Sequence, residues 1–263
     1  VLYWCISKSL GFRLAIALSI SNYINVGIKF IFCRLRPYVV FPHLDAPEYL
    51  KLTGTGYSFP SGHAQVSSTF WTYSARRARE KWIAVTGMVV VVFVAFTRVY
   101  ATVHYPTDVL VGAVLGIAIA YLYAEIENRV RASLPEGKKR VSFLLAVSVV
   151  VPGLAFALSA LFNPYFTEEV AQVLGFIAGA GVGYTLESEY VKYDVRATLP
   201  TQIIKIVLGL AGVIGVRYGL KAVFPGTAFW NMLRYAAVAV WATLVAPFVF
   251  KGLFKAGSSV PRG

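Results

Sequence analysis

Long apolar runs, separated by short polar segments, fill most of this chain. Runs fall near 12–34, 61–76, 82–99, 107–125, 141–161, 170–186, 201–220 and 229–250. A helix of about 20 such residues, at about 1.5 Å per residue, crosses about 30 Å of hydrocarbon. None of the runs shows the alternating pattern of about ten residues that marks a transmembrane β-strand. The pattern predicts an all-α, polytopic helical membrane protein with eight spans. Trp82 and Trp230 open two of them, as expected of amphipathic rings at a membrane interface. Residues 1–9, VLYWCISKS, read as the tail of an earlier helix whose upstream sequence is missing. The ending SSVPRG reads as an expression-tag remnant and is set aside.

Composition agrees with the pattern. The chain is 57% hydrophobic and only 14% charged, against about 25% charged residues in soluble domains. Its net charge of +13 would suit a nucleic acid if the basic residues formed one stripe, but they lie between spans, which makes nucleic acid an unfit partner. One set of connections holds RRAREK (76–81), RVRASLPEGKKR (129–140), KYDVR (192–196) and the tail with Lys251 and Lys255. The alternate set, 37–60, 99–106, 162–169 and 222–228, contributes only Lys51 to the basic count. That asymmetry assigns the first set to the cytoplasm and the second to the external or lumenal side. Cys5 and Cys33 have no metal-type spacing and read as two buried thiols. No fixed-period repeat and no soluble domain of useful size is visible.

Three polar clusters fall on the external face. KFIFCRLRP, Lys29 to Pro37, ends a span. Lys29 and Arg36 are two helical turns apart and so predicted to project from one face, with Pro37 stopping the helix. A Lys and an Arg at such a place also fit simple snorkelling anchors. GTGYSFPSGHAQ, Gly54 to Gln65, reads as a turn leading into a helix that begins near Pro60 and Ser61. Its free N–H groups, the Ser61 hydroxyl and the close approach allowed by Gly62 suit an anion, and His63 supplies a proton donor. A capped helix with an incidental histidine is the plainer alternative. TRVYATVHYPTDV, Thr97 to Val109, puts Arg98 at the end of one span and His104 and Asp108 around the start of the next. A carboxylate near a histidine can hold its tautomer and stabilise the imidazolium, although a capped helix with a satisfied loop histidine accounts for the same letters. Taken together, three cations, two histidines, a carboxylate and a helix N-terminus at one membrane face are the set a phosphate requires.

The complete pattern Lys29-x6-Arg36-Pro37, Pro60-Ser61-Gly62-His63 and Arg98-x5-His104-x3-Asp108 resembles the three-part signature of the type 2 phosphatidic-acid phosphatase superfamily. The likeness covers about residues 25–125, and Thr97 stands where that pattern usually has serine. The wider wording, GYSFPSGHAQ and RVYATVHYPTDV, is similar to the sphingosine-1-phosphate phosphatase-like and prokaryotic lipid phosphatase branches. The resemblance implies a phosphatase helix-bundle core over residues 1–128, additional C-terminal spans over 129–256, and a remnant at 257–263. It implies that His104 attacks phosphorus, that Asp108 orients it, and that His63 protonates the leaving oxygen and later activates water. Lys29, Arg36, Ser61, Gly62 and Arg98 would bind the phosphate oxygens. Neither metal nor cofactor is implied. The substrate would be a lipid phosphate or pyrophosphate presented by the bilayer, and the oligomeric state is not readable.

Two other readings use the same residues. A phosphotransferase would pass the phosphohistidine to another hydroxyl, and a non-catalytic lipid transporter would keep the motif without the activity, although transporters tend to show repeats and broken midplane helices. A haloperoxidase is disfavoured, because the soluble members of the superfamily are not built from spans. In the second half, Lys205, Arg217 and Arg234 lie in or beside spans and suit either a headgroup or interhelix contact or simple snorkelling. His43, with Asp45 and Glu48, reads as part of a solvated outer loop.

Overall fold

The computed structural model describes residues 1–44 and 56–254, and every regular element among them is helical. Asp45, Glu48 and Lys51 of the 37–60 connection, and the 257–263 ending, lie outside the described residues. Among the described residues seven stretches are long and apolar enough to cross a membrane: Lys8–Val40, Lys81–Tyr100, Pro106–Ser133, Gly137–Ala160, Pro164–Val191, Leu199–Val223 and Ala228–Leu253. The protein is therefore an integral membrane protein; seven helices meet this measure among the described residues, where the apolar runs predicted eight spans. The 61–76 run is helical too, but its helix has 17 residues and buries Gln65, Ser68 and Thr69, so it falls short of the apolar content of a lipid-facing span. Protein neighbours cover it, which is why it can be polar.

The chain divides into two compact units, residues 20–133 and residues 1–19 with 134–263. The first contains the C-terminal part of α1 (Lys8–Phe32), the four-residue α2 (Pro37–Val40), α3 (Gly62–Ala78), α4 (Lys81–Tyr100) and α5 (Pro106–Ser133). α3 packs chiefly on α5 and secondly on α4. Lipid offers no hydrophobic drive for two helices to associate, so small residues and hydrogen bonds must do it. Gly112 and Gly116, one turn apart on α5, supply the small surface: a methyl at either would fall 2.6 Å from the Ser61 carbonyl or 2.2 Å from the Gln65 carbonyl. The hydrogen bonds come from a buried ladder. Asn25 Nδ2 donates to Gln65 Oε1 (2.9 Å), Gln65 Nε2 to the Ser21 carbonyl (2.7 Å), and Ser21 and Thr69 share a hydroxyl contact of 2.9 Å. At the far end Tyr73 donates to Glu127 (2.8 Å), which Arg77 also pairs with. Val85, Met88, Val92, Phe93 and Phe96 of α4 remain exposed at helical spacing, the stripe expected of a lipid-facing wall.

The first span ends earlier than its apolar run suggested. Cys33, with φ of 46°, closes α1 after Phe32, and residues 33–36 are non-helical. Arg36 therefore does not share a helix face with Lys29, and Pro37 opens α2 at its first position instead of stopping α1. Cys33 is exposed and Cys5 half-buried, so the thiols are not both inside: one sits where the helix ends.

The second unit packs α6 (Gly137–Ala160), α7 (Pro164–Leu186), α8 (Leu199–Val223), α9 (Ala228–Val240) and α10 (Ala246–Leu253). Asn163 caps α7, accepting from the N–H of Tyr165 at 2.8 Å. Gly175 and Gly179 let α7 lie against α9 closely enough that a methyl would meet the Met232 or Ala236 carbonyl at 2.0 or 2.1 Å. Lys205 is an internal contact between α8 and the non-helical segment before it: buried, it donates to the Tyr193 hydroxyl and to the Val195 carbonyl at 3.0 Å. The neighbouring Glu187, also buried, pairs with Lys8 at 2.8 Å and accepts from the Tyr193 N–H. Arg234 is buried with Nη1 on Asn231 (2.8 Å). Arg217 is exposed and lies over the rings of Tyr218 and Tyr235.

Candidate active site

All eight candidate residues lie in the unit formed by residues 20–133. His104 and Asp108 flank the start of α5, where Pro106 takes the first helical position. Asp108, third in the helix, reaches back to accept from the Tyr105 N–H at 2.9 Å. That is the reciprocal arm of a capping box, and the helix dipole favours the same charge there. The same oxygen, Oδ2, is 3.4 Å from His104 Nδ1. The other ring nitrogen, Nε2, is 3.3 Å from Arg36 Nη1. The imidazole is thus held between a carboxylate and a guanidinium, with only 4% of its surface exposed. Burial, with the charges of Arg36 and Lys29 and against the hydrogen bond to Asp108, lowers its pKa to about 4. The ring is neutral at physiological pH, the form in which a nitrogen lone pair is available.

Arg36 is buried and spreads over backbone carbonyls: Nε on Gly56 (3.0 Å), Nη1 on Val103 (3.0 Å) and Nη2 on Tyr57 (3.5 Å). Lys29 donates to the same Tyr57 carbonyl. The two cations therefore converge through the 56–58 segment even though no helix face unites them. Arg98 comes from the last turn of α4, and its buried Nε has no hydrogen-bond partner among the described residues. His63 stands exposed in the first turn of α3, close enough to Arg98, Arg36 and Lys29 for all three charges to bear on it. Ser61 is the N-cap of that helix. Its hydroxyl accepts from the Ala64 N–H at 3.5 Å, and its own N–H donates to the Asp108 carbonyl at 3.0 Å, tying the two helix starts together. Gly62 sits where α1 comes close, a Cβ there lying 3.2 Å from Asn25 Oδ1.

Two further residues join this centre without having been singled out in the sequence. Arg34 places Nη1 on Asp108 Oδ1 at 2.9 Å and on Thr107 Oγ1 at 2.8 Å, with its guanidinium 3.8 Å from the centre of the Tyr105 ring. Ser58, fully buried, donates to Asp108 Oδ2 and lies 3.4 Å from His104 Nδ1. Arg34 was legible only as one more basic residue in CRLRP, and Ser58 as a turn serine. Nothing in their spacing pairs them with a carboxylate 50 or more residues away. Among the described residues no group of three His, Cys, Asp or Glu side chains is placed to hold a metal ion.

Comparison with known proteins enlarges this picture. Residues 10–132 match the PAP2 superfamily model, and residues 171–258 match that of the PAP2 superfamily phosphatase transmembrane extension. An undecaprenyl-diphosphatase of Sulfolobus acidocaldarius is 33% identical over 122 residues, 46% of this chain and 57% of that protein. A lipid A 4'-phosphatase of Porphyromonas gingivalis is 32% identical over 106 residues, 36% of this chain and 44% of that protein. The glucose-6-phosphatase catalytic subunit 1 of Bos taurus is 24% identical over 175 residues, 56% of this chain and 48% of that protein. The chain spans about half the length of the curated relatives it matches. No solved structure matches. The two family matches cover the helices that carry the candidate site and most of those that follow, and on them the chain belongs to the PAP2 superfamily, with that superfamily's transmembrane extension after its PAP2 domain.

Proposed function

We propose that this chain is a membrane lipid phosphatase that hydrolyses a phosphomonoester or pyrophosphate of a lipid through a phosphohistidine on His104. The observation that carries the reading is the setting of that ring: Nδ1 toward the Asp108 carboxylate, Nε2 toward the cations around Arg36. A phosphoryl group drawn to Arg36, Lys29 and Arg98 would meet a neutral nitrogen already aimed at it. In the first step the Nε2 lone pair forms a bond to phosphorus as the bond to the lipid oxygen breaks, and His63 gives its proton to that oxygen. Asp108 stabilises the positive ring that results. In the second step water attacks phosphorus, His63 takes the water's proton, and the nitrogen–phosphorus bond breaks to release phosphate. Charge accumulating on the oxygens is met by the guanidinium groups and by the free N–H groups of the α3 N-terminus. The chemistry is assigned to protein groups with no metal ion, and the site to the external or lumenal face, on the charge asymmetry of the connecting segments. The relatives' names include a lipid diphosphatase and a lipid A phosphatase, which supports a lipid substrate class and leaves the particular lipid open.

The two histidines provide the test, because they act in different steps. His104→Ala removes the nucleophile, so no phosphoenzyme should form with any substrate. His63→Ala removes the proton donor, which a lipid alkoxide needs and a nitrophenolate, with a pKa of about 7, scarcely does; lipid phosphate hydrolysis should fall by about 10²-fold or more. Given nitrophenyl phosphate, the His63 variant should accumulate an acid-labile phosphohistidine in a rapid-quench experiment. Phosphoenzyme in the His104 variant but not in the His63 variant would reverse the roles.

A further inference from the structure

We propose that Arg34 and Ser58 are positioning residues for the histidine nucleophile, fixing the Asp108 carboxylate and sharing its charge with His104. This rests on the phosphohistidine reading above. Asp108 has none of its side chain exposed, and its acceptor positions are divided. Oδ1 is taken by Arg34 Nη1 at 2.9 Å; Oδ2 serves the Tyr105 N–H, the Ser58 hydroxyl and His104 Nδ1. Without Arg34 the carboxylate could turn about its Cβ–Cγ bond. With it, Oδ2 is the oxygen presented to the ring.

Arg34 is itself held from three sides, by Asp108, Thr107 and the face of Tyr105. Its carbonyl accepts the Ser58 N–H at 2.7 Å, so the end of α1, the 56–61 segment and the start of α5 meet at this one residue. Its side chain is 38% exposed and points its charge at Oδ1, while Arg36 Nη1 is the guanidinium nitrogen beside His104 Nε2. Arg34 thus stands behind the ring, at Asp108, rather than at the nitrogen that would meet phosphorus.

The electrostatic consequence has a definite sign. Each donor on Asp108 other than His104 draws charge away from the imidazole. Removing Arg34 leaves the carboxylate freer to hold a protonated ring, so His104 would keep its proton to higher pH. The same change favours the positively charged phosphohistidine and slows its hydrolysis. The other charged groups bearing on His104 are Lys29 of α1 and Arg36, and His63 of α3 and Arg98 of α4 complete the cluster. All four are unaltered by the substitution.

The experiment compares purified wild type with Arg34→Gln, Arg34→Lys and Ser58→Ala, using nitrophenyl phosphate from pH 3.5 to 8. Arg34→Gln should lower kcat by about tenfold, the lower end of what supporting partners of a reactive site contribute, while KM changes little. Its acid limb should move up by about half a pH unit, a modest shift because the removed charge is partly solvated. The substrate's own ionisation is common to every variant and cancels. Arg34→Lys should restore most of the rate and return the limb toward wild type. Ser58→Ala deletes one hydroxyl, keeps Arg34, and should move the limb in the same direction, so it carries the test should Arg34→Gln not fold. A limb that stays at the wild-type pH in both Arg34→Gln and Ser58→Ala overturns the proposal, as does an Arg34→Lys variant as impaired as Arg34→Gln. Quenched wild-type enzyme separates the two levels. Absence of a His104 phosphoenzyme there sinks the parent reading, whereas its presence with unmoved limbs sinks the positioning role alone.

Discussion

Alanine at Gly112 is the perturbation that most directly links helix packing to chemistry. The added methyl would lie 2.6 Å from the Ser61 carbonyl oxygen. An ordinary carbon–oxygen contact is about 3.4 Å, so α3 and α5 must part by about 0.8 Å at this point. Ser61 donates its N–H to the Asp108 carbonyl at 3.0 Å; a displacement of that size carries it beyond hydrogen-bonding distance. Overpacking of this kind costs about 1–3 kcal/mol of stability, which a folded helical bundle can survive. Catalysis should suffer more, since a misplacement of about 1 Å can cost about 10²-fold. Because α3 carries His63, hydrolysis of a lipid phosphate should fall further than that of nitrophenyl phosphate. The assay is kcat on both substrates beside a thermal unfolding curve, with Gly153→Ala as the control, since a methyl there meets nothing within 4 Å. A Gly112→Ala enzyme that is folded and retains wild-type kcat on the lipid substrate would refute the link.

Three further outcomes follow from the same geometry. Activity should persist in excess chelator and be blocked by vanadate, which mimics the five-coordinate phosphoryl transition state; loss of turnover in EDTA with recovery in magnesium would contradict the assignment. An unperturbed histidine titrates near 6.5, but His104 is lowered to about 4, so its neutral form persists as pH falls from 7 to 5. Its acid limb in kcat/KM should therefore lie near 4, and native stability should decline between 6.5 and 4, as the unfolded chain takes up a proton the folded ring refuses; an acid limb near 6.5 that His104 controls would be the contrary result. In a Cys5→Ser background, the exposed Cys33 should react with a membrane-impermeant thiol reagent in intact cells; protection until lysis would invert the topology.

The sequence made the candidate residues readable and the bonds that connect them much less so. Lys29, Arg36, His63, Arg98, His104 and Asp108 stand out because titratable groups are rare in apolar runs. A spacing argument joined Lys29 to Arg36 through a helix that ends at Phe32, four residues before Arg36. The true junction is the Tyr57 carbonyl, which both approach, and a backbone carbonyl leaves no mark in a string of side chains. Arg34 and Ser58 were invisible for a related reason: their partner is contributed by α5, so no local periodicity connects them. The spans of the second half were legible by length. The burial of Lys205 was not, because snorkelling and an internal hydrogen bond require the same residue in the same run.

The polar face of α3 did leave a trace, and it explains why that helix is not greasy enough to pass for a span. Ser21 and Asn25 are four apart on α1, and Gln65 and Thr69 are four apart on α3, which places each pair on one helix face. In a bilayer such groups must find partners within the protein. Here they find one another: Asn25 to Gln65, Gln65 to Ser21, Ser21 to Thr69, with Thr69 also donating to the Gly116 carbonyl at 3.2 Å. A ladder of directional bonds fixes both the height and the rotation of α3, where apolar contacts with lipid would fix neither. Asn25 ends the ladder on the Pro60 carbonyl at 3.3 Å, one residue before the Ser61 cap and three before His63. The polarity buried beneath the site is what holds the α3 N-terminus and its histidine opposite the start of α5, where Asp108 and His104 stand.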